Sequence, residues 1–382
     1  MRRTIFDEDH HAFREAVRDF MRSEVVPHID QWEKDGSVPR EVFRRTADLG
    51  INGLQIPEEY GGGGMDSFLF NMIAFEEIGY AAASLGGLQV HLNTVLPYFL
   101  HYCNDEQKQR WFPGFADGSL IASVAMTEPG TGSDLAGMKT TAVRDGDDFI
   151  LNGAKTFITG GINADLVIVA ARTSRDDDDR RHGLTLLVVE DGMPGFIKGR
   201  NLDKLGLKSS DTAELAFQDV RVPAANVLGE VDKGFGMLGN NLSQERLSIA
   251  ITAQATATAA HRLALDYVNE RLVFGKPVAH FQNTKFVLAE CATQLQAGQS
   301  MIDQAVVALD EGTLTPADAA MVKLFVTEAQ GRIIDQCLQL HGGYGYMREY
   351  AISRLYADAR VSRIFGGTNE VMKVVVAKSL GL

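Results

Sequence analysis

Two stretches of this 382-residue chain combine residue types that could do chemistry. The first, MTEPGTGSDLAG from Met126 to Gly137, sets Thr127, Thr131 and Ser133 beside Gly130 and Gly132. Hydroxyls next to bare backbone can take hold of a pyrophosphate or the edge of a flavin through main-chain N–H groups. Alone, such a stretch is equally an ordinary loop. The second, SRIFGGTNEVMK from Ser362 to Lys373, places Gly366 and Gly367 directly before Thr368. Adjacent glycines cost backbone entropy and offer no side chain, so they mark a turn or a close approach to the backbone. This stretch reads as part of an active site from which one side chain is missing.

Other suggestive stretches have plainer readings. GFGMLG, from Gly234 to Gly239, fits G-x-G-x-x-G, but it follows the polar LGEVDK and not a strand, so it reads as a helix entrance. PEEYGGGGMD has no Gly-Lys-Ser/Thr after it and reads as a surface turn. HGGYGY resembles an oxyanion loop, yet no G-x-S-x-G nucleophile elbow accompanies it. CxxC and HExxH are absent, and His10, His11, His91, His101 and Cys103 lack the spacing of a metal site, so no metal is expected.

The elements that must position these residues fall into three zones. Residues 1–118 read as helical, with Phe13, Val17, Phe20 and Met21 on one stripe and Asn104 as a helix cap. Residues 119–231 read as strands and turns. Asp145-Gly146 and Asn152-Gly153 are hairpin signals, while DLVIVAAR, LTLLVVE and AELAFQDV read as further strands. Nothing there alternates with helices, so an antiparallel barrel or sandwich is expected. Residues 232–382 return to helix, with three long segments that could pack as a bundle. The acidic and basic run SRDDDDRRHG, from Ser174 to Gly183, reads as a solvated loop between strands.

Composition narrows the class. A hydrophobic fraction of 45% and a charged fraction of 23% suit a globular enzyme and argue against disorder. A net charge of −13 makes nucleic acid an improbable partner. Three scattered cysteines fit free thiols in a reducing compartment. The start MRRTIFDEDHH has neither secretory nor transit character, and no apolar run reaches membrane-spanning length. The expectation is a cytoplasmic protein of bacterial type, or a mitochondrial matrix protein if eukaryotic and processed.

With KTFITGG following MTEPGTGSD in the β zone, the pattern becomes specific. PEEYGG, MTEPGTGSD, NGAKTFITGG, ERLVFGKPV, QLHGGYGY and FGGTNEVMK occur in this order over essentially the whole chain. In this the sequence resembles the acyl-CoA dehydrogenase family. The resemblance implies an α+β protein: a helical domain, a middle β-domain and a C-terminal four-helix bundle. It also implies FAD, an acyl-CoA substrate, a homotetramer and electron transfer to an electron-transferring flavoprotein.

Carried over by motif, Met126, Thr127 and the segment Phe157, Ile158 and Thr159 would meet the flavin ring. Gly132 and Ser133 would lie near the pyrophosphate and the acyl-CoA. Arg271, Phe274, Gln282, Gln339, Gly342 and Gly343 would hold the cofactor of a neighbouring subunit, and Thr368 and Glu370 that of their own chain. Ser133, Ser243, Arg246 and Gly367 would contact substrate.

In most of the family a glutamate immediately before the Gly-Thr is the base; here that residue is Gly366. Removing a proton α to a thioester needs a positioned base of tuned pKa, which glycine cannot supply. A minority, resembling the long-chain and isovaleryl-type enzymes, carries the base on the helix opening the C-terminal domain, where NLSQERLSIA supplies Glu245. A glutamate near a helix start also has an ordinary explanation in the helix dipole. The lost carboxylate and the gained one fit the minority pattern together. Glu245 would then take the α-proton as hydride leaves the β-carbon for the flavin, while the backbone N–H of Gly366 donates to the thioester oxygen. A catalytically inactive flavin- and acyl-CoA-binding scaffold, or an acyl-CoA oxidase, are the alternatives.

Overall fold

The structure, a computed structural model, describes residues 3–176 and 178–382. Its N-terminal part is built from α1 (Glu8–Phe20), α2 (Ile29–Asp35), α3 (Arg40–Asp48), α4 (Leu69–Tyr80), α5 (Gly87–Val90), α6 (Leu96–Tyr102) and α7 (Asp105–Ala116). The expected apolar stripe is real: Val17, Phe20 and Met21 are buried, with Phe13 packed at the edge of the same core. Asn104 caps α7, accepting from Gln107 N at 2.9 Å, while the Gln107 side chain returns a bond to the Asn104 N–H. This reciprocal pair satisfies two of the donors that a helix start leaves free.

Charge fastens α1 onto α4. Glu76 and Glu77 are buried, and Arg3, Arg14 and Arg18 reach them at 2.8–2.9 Å. Breaking a buried pair from one side strands the other charge. Glu76→Ala is therefore expected to cost about 2 kcal/mol, discounted because both arginines keep some solvent. Denaturant unfolding measures the loss, and a change below about 0.5 kcal/mol would contradict it.

The middle part holds β1 (Ala122–Ala125), β2 (Thr141–Asp145), β3 (Asp148–Thr159), β4 (Leu166–Arg172), β5 (Leu184–Glu190), β6 (Phe196–Asn201), β7 (Thr212–Pro223) and β8 (Val227–Leu228). The sheet runs β6-β7-β3-β2-β4-β5-β8, with β1 on β4. β4 is buried on both faces. Leu166, Ile168 and Ala170 enter a core with α6 and α7, while Val167, Val169 and Ala171 face a second core with β3, β5 and β7. A strand covered on both sides reads as a continuous apolar run and not as an alternation.

One expectation needs correction here. The sheet is mixed and not wholly antiparallel: β1 pairs with β4 in parallel over Ala122–Ala125, and Thr141 of β2 meets Arg172 of β4 in the same sense. Tight hairpins force antiparallel pairing only between neighbours in sequence, and β1 reaches β4 by a long connection. β6 and β8 end the pairing order, so among the described residues no closed barrel forms.

Asp145-Gly146 does turn the hairpin, with Asp145 opposite Asp148. Asn152-Gly153 does not; it lies inside β3 at a shift of register against β7. There Asn152 exchanges two 2.9 Å bonds with Asp219, and a Cβ on Gly153 would fall 2.5 Å from Thr140 Oγ1. The dipeptide makes a bulge because a partner strand and a crowded neighbour claim it.

The C-terminal part comprises α8 (Gly234–Glu270), a small hairpin of β9 (Leu272–Val273) and β10 (Lys276–Pro277), α9 (Gln282–Asp310), α10 (Pro316–His341), α11 (Ala351–Ala359) and α12 (Asn369–Ser379). α8, α9 and α10 pack on one another, and α12 lies on α10. GFGMLG is the entrance of α8, as expected. The segment from Ser174 to Gly183 links β4 to β5, with Asp177 outside the described residues. No described helix is long and apolar enough to cross a membrane.

Candidate active site

α8 ties the three parts together. Gly234 sits so close to the sheet that a Cβ would lie 2.8 Å from Leu184 O. Met237 and Leu238 then enter the core shared with β5 and α6, whereas Leu247, Ala250 and Ile251 enter the core shared with α1 and α4. Glu245 falls between these two anchor points. It stands eleven residues beyond Gly234, the first helical residue. The dipole of a helix start fades within its first turn, so it gives no account of this glutamate.

The Glu245 side chain is partly covered, and its Oε2 is shielded from solvent with no hydrogen-bond partner among the described residues. Its Oε1 lies 3.5 Å from the point where a Cβ on Gly366 would be. The bare face of Gly366 thus looks at the carboxylate from 121 positions further along the chain. Gly366 and Gly367 have φ of 62° and 85°, a region that penalises a Cβ. A Cβ on Gly366 would also meet Ile249 Cδ1 at 2.3 Å. Burial pushes the Glu245 carboxyl up to about 7, against the pull of Arg246 and Lys323.

Both cations work on the glycine turn. Arg246, buried, points Nε at Gly366 O across a long 3.5 Å. Lys323 of α10, with no solvent exposure, donates from Nζ to Gly367 O and to Asn369 Oδ1, each at 2.9 Å. Burial, with Arg246 adding repulsion, lowers the Lys323 ammonium to about 8, so it is largely charged at neutral pH. Sequence reasoning missed Lys323 and Asn369. The signal was a lone charge in the apolar run AAMVKLFV. It also missed Tyr98 of α6, whose fully buried hydroxyl lacks a partner among the described residues and feels the Glu245 charge. Thr368 caps α12, accepting from Val371 N at 3.3 Å, Glu370 is exposed in the first turn, and Ser243 is partly buried.

The β-domain brings together its two expected segments. Thr156 N donates to Thr127 O at 3.0 Å, and Lys155 Nζ donates to Met126 O at 3.0 Å. Lys155 also pairs with Glu128 at 3.0 Å, and Glu128 accepts from Lys139 N and Thr140 N at 2.7 and 2.9 Å. This clamp leaves the loop tip open, since a Cβ on Gly130 or Gly132 would meet nothing within 4 Å; Ser133 is exposed beside them. A shift of register between Lys155 and Ile158 turns Phe157 outward, at φ 59° and 68% exposure. Ile158 departs from expectation: its side chain is buried in the β core, so only its backbone could meet a ligand. Thr159 is partly buried and its carbonyl accepts from Ser123 Oγ at 2.5 Å.

A third group forms at the far end of α8. Arg271, Gln339, Gly342 and Gly343 line one cavity of about 530 Å³ with Tyr267 and His341. The Arg271 guanidinium lies 5.5 Å from the Tyr344 ring centre. His341 Nδ1 donates to Cys337 O at 2.8 Å, and its ring stacks on Tyr267. Phe274 and Gln282 are not in this lining; Phe274 is 92% exposed at φ 53°, and Gln282 is exposed at the start of α9. An outward aromatic, an open hydroxyl–glycine loop and an arginine-lined cavity are a donor set suited to a cofactor with a flat ring and phosphates.

Three family models cover the chain in turn: the acyl-CoA dehydrogenase N-terminal domain matches residues 7–119, the middle domain 123–220 and the C-terminal domain 232–381. The chain belongs to the acyl-CoA dehydrogenase family. Members are flavoprotein oxidoreductases acting on CH–CH bonds. The long-chain specific mitochondrial acyl-CoA dehydrogenase of Sus scrofa is 44% identical over 99% of this chain and 88% of its own length. The crystal structure of an acyl-CoA dehydrogenase from Geobacillus kaustophilus superposes with a TM-score of 0.97 at 45% identity, over 99% of both chains. A chain from the structure described as the electron transferring flavoprotein of Acidaminococcus fermentans gives a TM-score of 0.94 at 32% identity, over 99% of both.

Proposed function

We propose that this acyl-CoA dehydrogenase removes hydrogen from the α- and β-carbons of an acyl-CoA thioester, giving the trans-2-enoyl-CoA, with Glu245 as the base. The observation that carries the reading is the Glu245 carboxyl, whose Oε2 is shielded from solvent and has no hydrogen-bond partner among the described residues, facing a glycine where most of the family has its carboxylate. When bound, FAD supplies the acceptor for the hydride that leaves the β-carbon. Glu245 receives the α-proton. The backbone N–H of Gly366 donates to the thioester oxygen, where charge builds as that proton leaves. Gly367, Arg246, Ser243 and Ser133 border the thioester and its CoA.

Met126, Thr127, Phe157 and Thr159, with the Ile158 backbone, border the flavin ring, and Gly132 and Ser133 its pyrophosphate. Thr368 and Glu370 contact the cofactor of their own chain. Arg271, Gln339, Gly342 and Gly343 serve the cofactor of a neighbouring subunit. An exposed Phe274 at positive φ, with Gln282 nearby, is the kind of surface that a second copy covers, which supports the homotetramer. Likeness to a chain from a structure described as an electron transferring flavoprotein supports such a flavoprotein as electron acceptor. We place the domain limits at residues 1–118, 119–231 and 232–382, and the protein in a cytoplasm of bacterial type, or in the mitochondrial matrix if it is eukaryotic and processed.

Anaerobic mixing of the flavin-loaded protein with acyl-CoAs of graded length tests this reading. Rapid loss of flavin absorbance with one length class is the expected result. No loss with any of them overturns it in favour of a binding scaffold. The pH profile gives a second check. A carboxyl held up at about 7 is protonated, and useless as a base, at lower pH. Hence kcat/KM is expected to rise with pH through about 7 and then level off. A profile already flat from pH 5 to 8 would exclude Glu245 as the base in the free enzyme.

A further inference from the structure

A lysine with no solvent exposure inside a bundle helix needs a reason, because an apolar side chain of similar volume would fill the site at lower cost. Lys323 has no carboxylate in direct contact among the described residues. Two of its ammonium protons go instead to neutral oxygens, Gly367 O and Asn369 Oδ1. Asn369 is itself held, its Nδ2 donating to Thr327 Oγ1 at 3.0 Å and to Glu328 Oε1 at 2.8 Å. The charge is thus spent on one short segment, the glycine turn that faces Glu245.

We propose that Lys323 is a positioning residue for the base: it pins the Gly366–Gly367 turn through the Gly367 carbonyl, and its charge favours the ionised form of Glu245. The inference rests on the reading of Glu245 as base. The groups that face Glu245 are Arg246 on α8 itself, Lys323 from α10 and the Tyr98 hydroxyl from α6. Lys323 in turn faces Arg246, Glu245, Glu328 and Glu370. Arg246 stays charged throughout the accessible pH range, so replacing Lys323 changes the field at the carboxyl while leaving the other cation in place.

The test uses flavin-loaded wild type, Lys323→Met and Lys323→Arg. The carboxyl stretch of Glu245, isolated as an infrared difference against Glu245→Gln, is titrated alongside the pH profile of flavin reduction. In Lys323→Met the carboxyl midpoint and the acid limb are both expected to move up by about one pH unit, because a nearby cation stabilises the charged form. Reduction at pH 7 then slows about five-fold and recovers at higher pH. Lys323→Arg keeps the wild-type midpoint. Coincident midpoints in Lys323→Met and wild type overturn the proposal. If Lys323→Met fails to fold, Lys323→Gln carries the same test, since its amide can still donate to the Gly367 carbonyl without the charge. A wild type that no acyl-CoA bleaches at any pH overturns the functional reading instead, and the infrared titration still reports on Lys323.

Discussion

Glu245→Gln is expected to leave the protein yellow when it is mixed anaerobically with an acyl-CoA that bleaches the wild type, with flavin reduction slower by about 10³-fold. The amide matches the carboxylate in shape but cannot accept the α-proton. Little else should change. Among the described residues the carboxyl end makes no hydrogen bond through Oε2 that the amide would break, and burial already favours its neutral form. Flavin retention and thermal stability should therefore stay close to wild type, which separates loss of a base from loss of fold. Gly366 cannot substitute, having no side chain, and Tyr98 is held well above its usual range by burial and by Glu245 itself. Equal bleaching of variant and wild type would reduce Glu245 to a helix residue and send the search for the base elsewhere.

Glu128→Ala is expected to be the most destabilising single change at the site, costing about 3–5 kcal/mol. Lys155 is fully buried and would keep only the Met126 carbonyl, leaving its charge uncompensated. The N–H groups of Lys139 and Thr140 would lose their acceptor in the same stroke. Burial by itself would raise the Glu128 carboxyl, but the donors of Thr140, Lys139 and Lys155 hold it below its usual value. The stabilisation is thus present above the ordinary carboxylate range and is lost as pH falls through the lowered value. Because the clamp spans both ends of the loop from Met126 to Thr140, the variant should also release flavin on dialysis. Thermal unfolding and retained absorbance measure the two effects. Glu128→Gln, which keeps the acceptor, should lose less of both. A cost below about 1 kcal/mol for Glu128→Ala would mean that the loop is held by other contacts.

Much of this architecture was legible because its causes are local. The Asn104 cap, the hairpin at Asp145-Gly146, the buried run of β4 and the long helices α8 to α10 each follow from residues within a few positions of one another. Where the cause is remote, local reading fails. Asn152-Gly153 has the composition of a turn, but Asp219 on a strand far along the chain captures it as a bulge. β1 lies parallel to β4 because the fold, and not a hairpin, delivers it there.

The candidate site divides in the same way. Motif order gave Glu245 a role and Gly366 a meaning, since one carboxylate absent and another present is a pattern in residue types alone. That Glu245 Oε1 comes within 3.5 Å of where a Cβ on Gly366 would stand depends on α8 crossing the turn between α11 and α12, an approach no spacing encodes. Lys323 was invisible for the same reason. A lysine in an apolar helical run names no partner until packing buries it against the Gly367 carbonyl. Residue types and their order are written along the chain, whereas a proton's cost at Glu245 is set by desolvation and by charges that only folding brings near.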